Sequence, residues 1–157
     1  MLGAVNGYSI LKTLHVLAAI VWVGGTITAN ILGTRVARSN DGVALARFGR
    51  DTEWMGTHVY LPSSFLVLVF GVITVINGHL GFGHAWILFG IAGIVVTALT
   101  GSLFLGPELK RIAGLVDTRG PDDPDVIERT KRLISIARVD LVVLILVVID
   151  MVVKPGS

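Results

Sequence analysis

The sequence predicts an all-α membrane protein: an antiparallel four-transmembrane-helix bundle, with a cytoplasmic amphipathic helical stem between helices 1 and 2. Three observations carry this reading. Hydrophobic residues fill 53% of the 157 positions and charged residues only 15%, against roughly a quarter charged in soluble domains. The apolar residues collect in four stretches, 10–33, 59–77, 85–106 and 133–153, each near the ~20 residues a helix needs to cross ~30 Å of hydrocarbon. The basic residues flank these stretches on one side.

The first stretch lacks the cationic leader of a secretory signal and is longer than a removable apolar region, so it reads as a permanent span. Four spans place both termini together and the first and third connections opposite them. Of the 13 Lys and Arg residues, only Lys12 and Lys154 fall on the terminal side. Arg35, Arg38, Arg47, Arg50, Lys110, Arg111, Arg119, Arg129, Lys131, Arg132 and Arg138 fall on the other. The positive-inside rule then puts the connections in the cytoplasm and both termini outside. The net charge of +2 is a topology signal and does not indicate nucleic acid.

In the first connection Leu45, Phe48, Thr52, Met55 and Val59 recur at helical spacing, which gives one apolar face with Arg47 and Arg50 off it. This is the stem, lying at the inner interface or extending the second span. In the third connection Pro107 is expected to remove a backbone bond and loosen the end of span three. The run Asp122-Asp123-Pro124-Asp125 reads as a helix start: an aspartate cap, proline at the first helical position, and Asp125 with Glu128 as a capping box. The glycine-rich run 77–84 is short enough to make spans two and three neighbours. No internal repeat or linker interrupts residues 1–157, so one domain is expected.

Lipid tails are as apolar as leucine, so these helices must associate through close packing and polar contacts. Gly24 and Gly25 in span one, and Gly93, Thr97 and Gly101 in span three, are the expected packing positions. Ionisable groups at membrane depth are costly and need a partner or a purpose. Span one carries Tyr8, Lys12 and His15 on one stripe, and span four ends in Asp150 and Lys154. Counted at 1.5 Å per residue, His15 lies about 9 Å and Asp150 about 7.5 Å outward of their span centres. An intramembrane polar cluster is expected there, with Asp150 paired to Lys12 or His15. It serves either as a structural ion pair or as an outward-facing ligand or proton site. Glu108, Lys110, Arg111, Arg138 and Asp140 are expected to form an inner interfacial network.

Two imidazoles on neighbouring helices are the usual way a helical bundle holds a b-type haem. His58 lies about 24 Å from the level of His15, too far to share an iron, which leaves His15, His79 and His84 as candidate ligands. The chain has no cysteine, which excludes disulfides, thiolate metal sites and thiol catalysis. Hydrolase elbows, zinc-protease helices and phosphate-cradling loops are absent from the sequence. No catalytic residue and no metal site are therefore assigned.

The run Leu11-Lys12-Thr13-Leu14-His15-Val16-Leu17-Ala18-Ala19-Ile20-Val21-Trp22-Val23-Gly24-Gly25 resembles the first helix of an uncharacterised family of small bacterial membrane proteins. Leu61-Pro62-Ser63-Ser64, Phe104-Leu105-Gly106-Pro107-Glu108, Ala137-Arg138-Val139-Asp140-Leu141 and Asp150-Met151-Val152-Val153-Lys154-Pro155 fit the same pattern. More distantly, the opening run is similar to copper-resistance D proteins and to bacterial membrane protoporphyrinogen oxidase. These relatives include haem-associated members, and the resemblance implies His15 as an axial ligand with no matching motif for a second. The function expected is a non-enzymatic accessory or assembly subunit, partnered by the lipid bilayer and other integral membrane subunits. The larger complex would be a lipid-import transporter or a respiratory complex. The alternative is a haem b-binding, redox-associated membrane protein using His15.

Overall fold

The computed structural model describes residues 7–39, 41–78 and 82–155. These residues form four long helices and no strand: α1 (Gly7–Arg38), α2 (Gly42–Asn77), α3 (Ala85–Arg119) and α4 (Pro124–Val153). α1, α2 and α3 are each long and apolar enough to cross a membrane. α4 is 30 residues long, and its apolar part, residues 136–153, carries Arg138, Asp140 and Asp150.

The stem is not a separate helix. Residues Gly42–Met55 run into Leu61–Asn77 through one π-helical turn, Gly56–Tyr60. α3 has the same construction, with Thr100–Leu105 as its π-turn. In each case a glycine carbonyl opens the wide turn, Gly56 accepting from Leu61 N–H and Gly101 from Gly106 N–H. A proline follows at once, Pro62 or Pro107. Proline has no N–H to give and its ring crowds the preceding carbonyls. Widening the turn before it keeps the helix continuous, as π-bulges do. Pro107 therefore does not end α3, and the helix runs on to Arg119. There Gly120 takes φ 87°, a left-handed conformation open to glycine, and donates its N–H to Val116 O at 3.0 Å.

α4 begins where local capping chemistry puts it. Asp123 is the N-cap, its carboxylate accepts from Asp125 N–H at 2.9 Å, and Pro124 takes the first turn. The capping box expected of Asp125 and Glu128 is not made, because Asp123 is the cap and Asp125 instead receives Arg119 at 3.0 Å.

α1 packs on the half of α2 beyond its π-turn and on α4, while α4 packs on the first half of α3. The stem packs on the last part of α3. Gly7 and Pro155 lie at one end of this arrangement, the terminal end, and Asp41 and Gly120 at the other, the connection end. Trp22, Val67, Ile94, Leu144 and Val147 form a buried layer with members from all four helices. A second core at the connection end joins Ala46, Leu109, Ile112, Val116, Val126 and Leu133. The buried stem positions are Ala46 and Gly49, each one residue after a predicted apolar residue, Leu45 and Phe48. A β-carbon on Gly49 would stand 3.1 Å from Leu109 O.

The small residues divide into two groups. A β-carbon at Gly25 would meet the Tyr60 ring at 2.5 Å, one at Gly93 would meet Val147, and one at Gly90 would meet Met151. Thr97 is buried and bonds back to Gly93 O at 2.9 Å. Gly24 and Gly101 have nothing within 4 Å and are not packing positions. Gly24 borders a pocket, and Gly101 opens the π-turn of α3.

Candidate ligand pocket at the terminal end

All four helices contribute to a cavity of about 750 Å³ between the Trp22 layer and the terminal end. Its walls are apolar, with Val67, Ile91, Ile94, Leu144 and Val147 among them. Val16 and Ile20 on α1 and Val148 and Val152 on α4 also line it and are exposed, so the cavity opens sideways between α1 and α4. Tyr8, Lys12, His15 and Lys154 line the same cavity, and the structure thereby brings four of the five predicted cluster residues to one place. No Asp or Glu lines it among the described residues.

His15 is fixed by α2. Its Nδ1 lies 2.8 Å from Val67 O; a carbonyl oxygen only accepts, so Nδ1 carries the proton and Nε2 keeps its lone pair. The ring fits because residue 71 is glycine: a β-carbon there would stand 3.0 Å from His15 Cε1.

Lys154 and Trp86 form the second fixed element. Lys154 closes α4 in the left-handed conformation, φ 48° and ψ 61°, with its N–H on Asp150 O at 2.8 Å. This turn carries its Nζ over the Trp86 ring, 5.4 Å from the centroid. Trp86 is 5% exposed, and its buried indole Nε1–H has no hydrogen-bond partner.

The pairing expected of Asp150 with Lys12 or His15 does not form among the described residues. His15 Nδ1 is engaged by Val67 O. Asp150 lies on the flank of α4, about 100° round from Met151, outside the cavity lining, and its Oδ2 is buried without a partner. Of the other histidines, His84 precedes α3 against Trp86, at 6.4 Å between ring centroids, and does not line the cavity. His58 stacks on Trp54 beyond the Trp22 layer, and His79 lies outside the described residues. No group of three or more metal-ligating side chains occurs among the described residues.

Beyond Trp22 a second cavity of about 530 Å³ occupies the connection half, with Tyr60, Ser64, Thr97, Lys110 and Asp140 in its walls. Trp22 lines both cavities and separates them. Tyr60 donates its hydroxyl to Gly25 O at 3.2 Å. The five residues of the predicted inner network do not form one unit. Glu108 pairs with Arg129 at 2.7 Å, and the hydrogen bond that this guanidinium donates to Glu108 holds it above its ordinary pKa. Arg138 reaches Thr34 Oγ1 at 3.4 Å, Lys110 and Asp140 face the second cavity, and Arg111 is exposed. Sequence reasoning missed Gly71, Val67 and Trp86, whose roles are set by neighbours distant along the chain. The sequence does show a helix-borne glycine at 71 and a lone tryptophan at the start of span three.

Long helices with apolar exteriors, enclosing polar groups that face inward, define a multi-pass helical integral membrane protein. The chain belongs to the family described as predicted integral membrane protein (DUF2269), whose model matches residues 9–155. No curated protein and no solved structure matches it.

Proposed function

We propose that the chain is a four-pass protein of the bacterial inner membrane, with both termini outside. In this reading it acts as a non-enzymatic accessory subunit that holds a membrane-borne ligand in its terminal-end cavity. One observation carries this: a cavity of about 750 Å³, inside the range of small-molecule sites, built by all four helices and opening between α1 and α4 toward the lipid. Ligand exchange through a lateral cleft requires no aqueous path. Among the described residues the cavity is lined by one imidazole and two ammonium groups and by no acid to pair with them, which suits binding better than acid–base catalysis. A place beside a lipid-import transporter or respiratory complex follows from such a role. Mild extraction from native membrane tests both parts of the reading. A small molecule retained in stoichiometric amount, together with co-purifying membrane subunits, is expected. A monomer with an empty cavity at every detergent concentration would overturn it.

A haem b at the same cavity is the second reading, favoured by the fixed tautomer of His15, since an imidazole that donates Nδ1–H to a carbonyl presents Nε2 to a metal. The described residues supply this one imidazole, and His84 lies outside the cavity. A Soret band lost in His15→Ala would support haem; no band after expression with haem supplied would remove it.

A further inference from the structure

We propose that the ligand of the terminal-end cavity is an amphiphile with one anionic headgroup and an acyl-type tail. The headgroup sits between Lys12 and Lys154, and the tail runs down the apolar wall toward Trp22. This rests on the reading of that cavity as a ligand site and specifies its chemistry.

Three features of the site converge. The first is charge. Lys12 and Lys154, both exposed at the cavity's rim, line it with no carboxylate among the described lining residues, and two ammonium groups at the mouth of an apolar cavity attract an anionic headgroup. The second is an unused donor. The Trp86 Nε1–H is buried and unpartnered in a residue 5% exposed that lines the cavity. Buried indole N–H groups are normally satisfied, and an oxygen of the ligand, ester or acid, completes it. The third is strain placed at the rim. Lys154 holds φ 48°, a conformation that is costly for a residue with a β-carbon, and directly precedes Pro155. Glycine would end the helix with less strain. A lysine there, with its Nζ over Trp86, puts charge beside the same indole that lacks an acceptor.

The two cations are near the ends of α1 and α4, while Val67, Ile94, Leu144 and Val147 close the far end of the cavity. Head and tail are thus segregated along the helix axis as they are in a leaflet. The lateral opening between Val16, Ile20, Val148 and Val152 lets a lipid enter without leaving hydrocarbon.

The same chemistry is offered by an anionic phospholipid and by a free long-chain acid, and the test has an arm for each. The full chain is placed in nanodiscs of phosphatidylcholine doped with either phosphatidylglycerol or oleate. Bound amphiphile is counted by native mass spectrometry after gentle release. Selective retention of one phosphatidylglycerol identifies the lipid; selective retention of oleate identifies the free acid. Either supports the proposal if occupancy falls roughly tenfold in Lys12→Ala and in Lys154→Gly. Lys154→Gly relieves the backbone and is expected to melt no lower than the parent, so its loss of occupancy cannot be blamed on unfolding. Trp86→Phe keeps an aromatic ring beneath Lys154 and removes the donor together with the second ring, and is expected to weaken retention in the same direction. Retention of phosphatidylcholine equal to that of both anionic species would overturn the anionic headgroup while leaving the cavity a ligand site. No retention of any amphiphile in a folded protein would overturn both.

Discussion

The imidazole of His15 on α1 is seated against Gly71 on α2, with Cε1 3.0 Å from where a β-carbon of residue 71 would stand and Nδ1–H donated to Val67 O. One contact thus joins a titratable side chain, a backbone carbonyl and a missing side chain on two helices.

Gly71→Ala tests that seat. Alanine inside a helix is favoured over glycine by about 0.5–1 kcal/mol, whereas displacing His15 leaves its part-buried Nδ1–H without an acceptor, at about 1–3 kcal/mol. A net loss of up to about 1 kcal/mol is expected in thermal unfolding in detergent. In a His15→Ala background the same substitution should become neutral or stabilising, and the coupling appears as non-additivity in the double-mutant cycle.

The glycines of α1 and α3 should separate by position. Gly93→Ala drives a methyl into Val147 and is expected to cost about 1–3 kcal/mol. Gly24→Ala meets open space and should change stability by less than about 1 kcal/mol. Melting temperatures of the two variants, compared side by side, check the assignment.

The π-turn of α3 predicts an asymmetry between deletions. A π-bulge is one residue more than an α-helix needs, so deleting Leu103 within Thr100–Leu105 should restore regular winding and leave both flanking faces in register. Deleting Val95 in the regular segment Ala85–Leu99 rotates one half of the helix against the other. Gel filtration should return a monodisperse species for the first variant and aggregate for the second.

Glu108 and Arg129 predict a rescue. Each single reversal, Glu108→Arg or Arg129→Glu, leaves like charges facing each other and should lower the melting temperature, while the double reversal recovers most of the loss. Arg50–Asp117 and Arg119–Asp125 are more than half exposed, and their removal should be close to neutral.

What the sequence revealed was local. Asp123 and Pro124 mark the start of α4 because capping involves groups two residues apart, and the apolar runs mark helices because composition decides their solvent. The depth of His15 follows from counting residues at a fixed rise. Its partner does not, because Val67 O and Gly71 are 52 and more positions away and carry no pattern that names them. Asp150 was matched to Lys12 and His15 by depth, and depth ignores azimuth: a position one residue from Met151 is turned about 100° from the cavity. The π-turns were hidden for a similar reason, since one added residue shifts a hydrophobic stripe too little to be seen in composition. The glycine-to-proline spacing shared by Gly56 and Pro62 with Gly101 and Pro107 is the trace they leave.

The account depends on four crossings with the termini and the larger cavity on the outer side. The chain has no cysteine, so single-cysteine variants at the exposed positions Thr118 and Pro155 report accessibility without background. A membrane-impermeant maleimide added to intact cells, with the outer membrane permeabilised where there is one, should label Pro155→Cys and leave Thr118→Cys untouched until the inner membrane is opened. Labelling of Thr118→Cys from outside, or of both positions alike, would contradict the account.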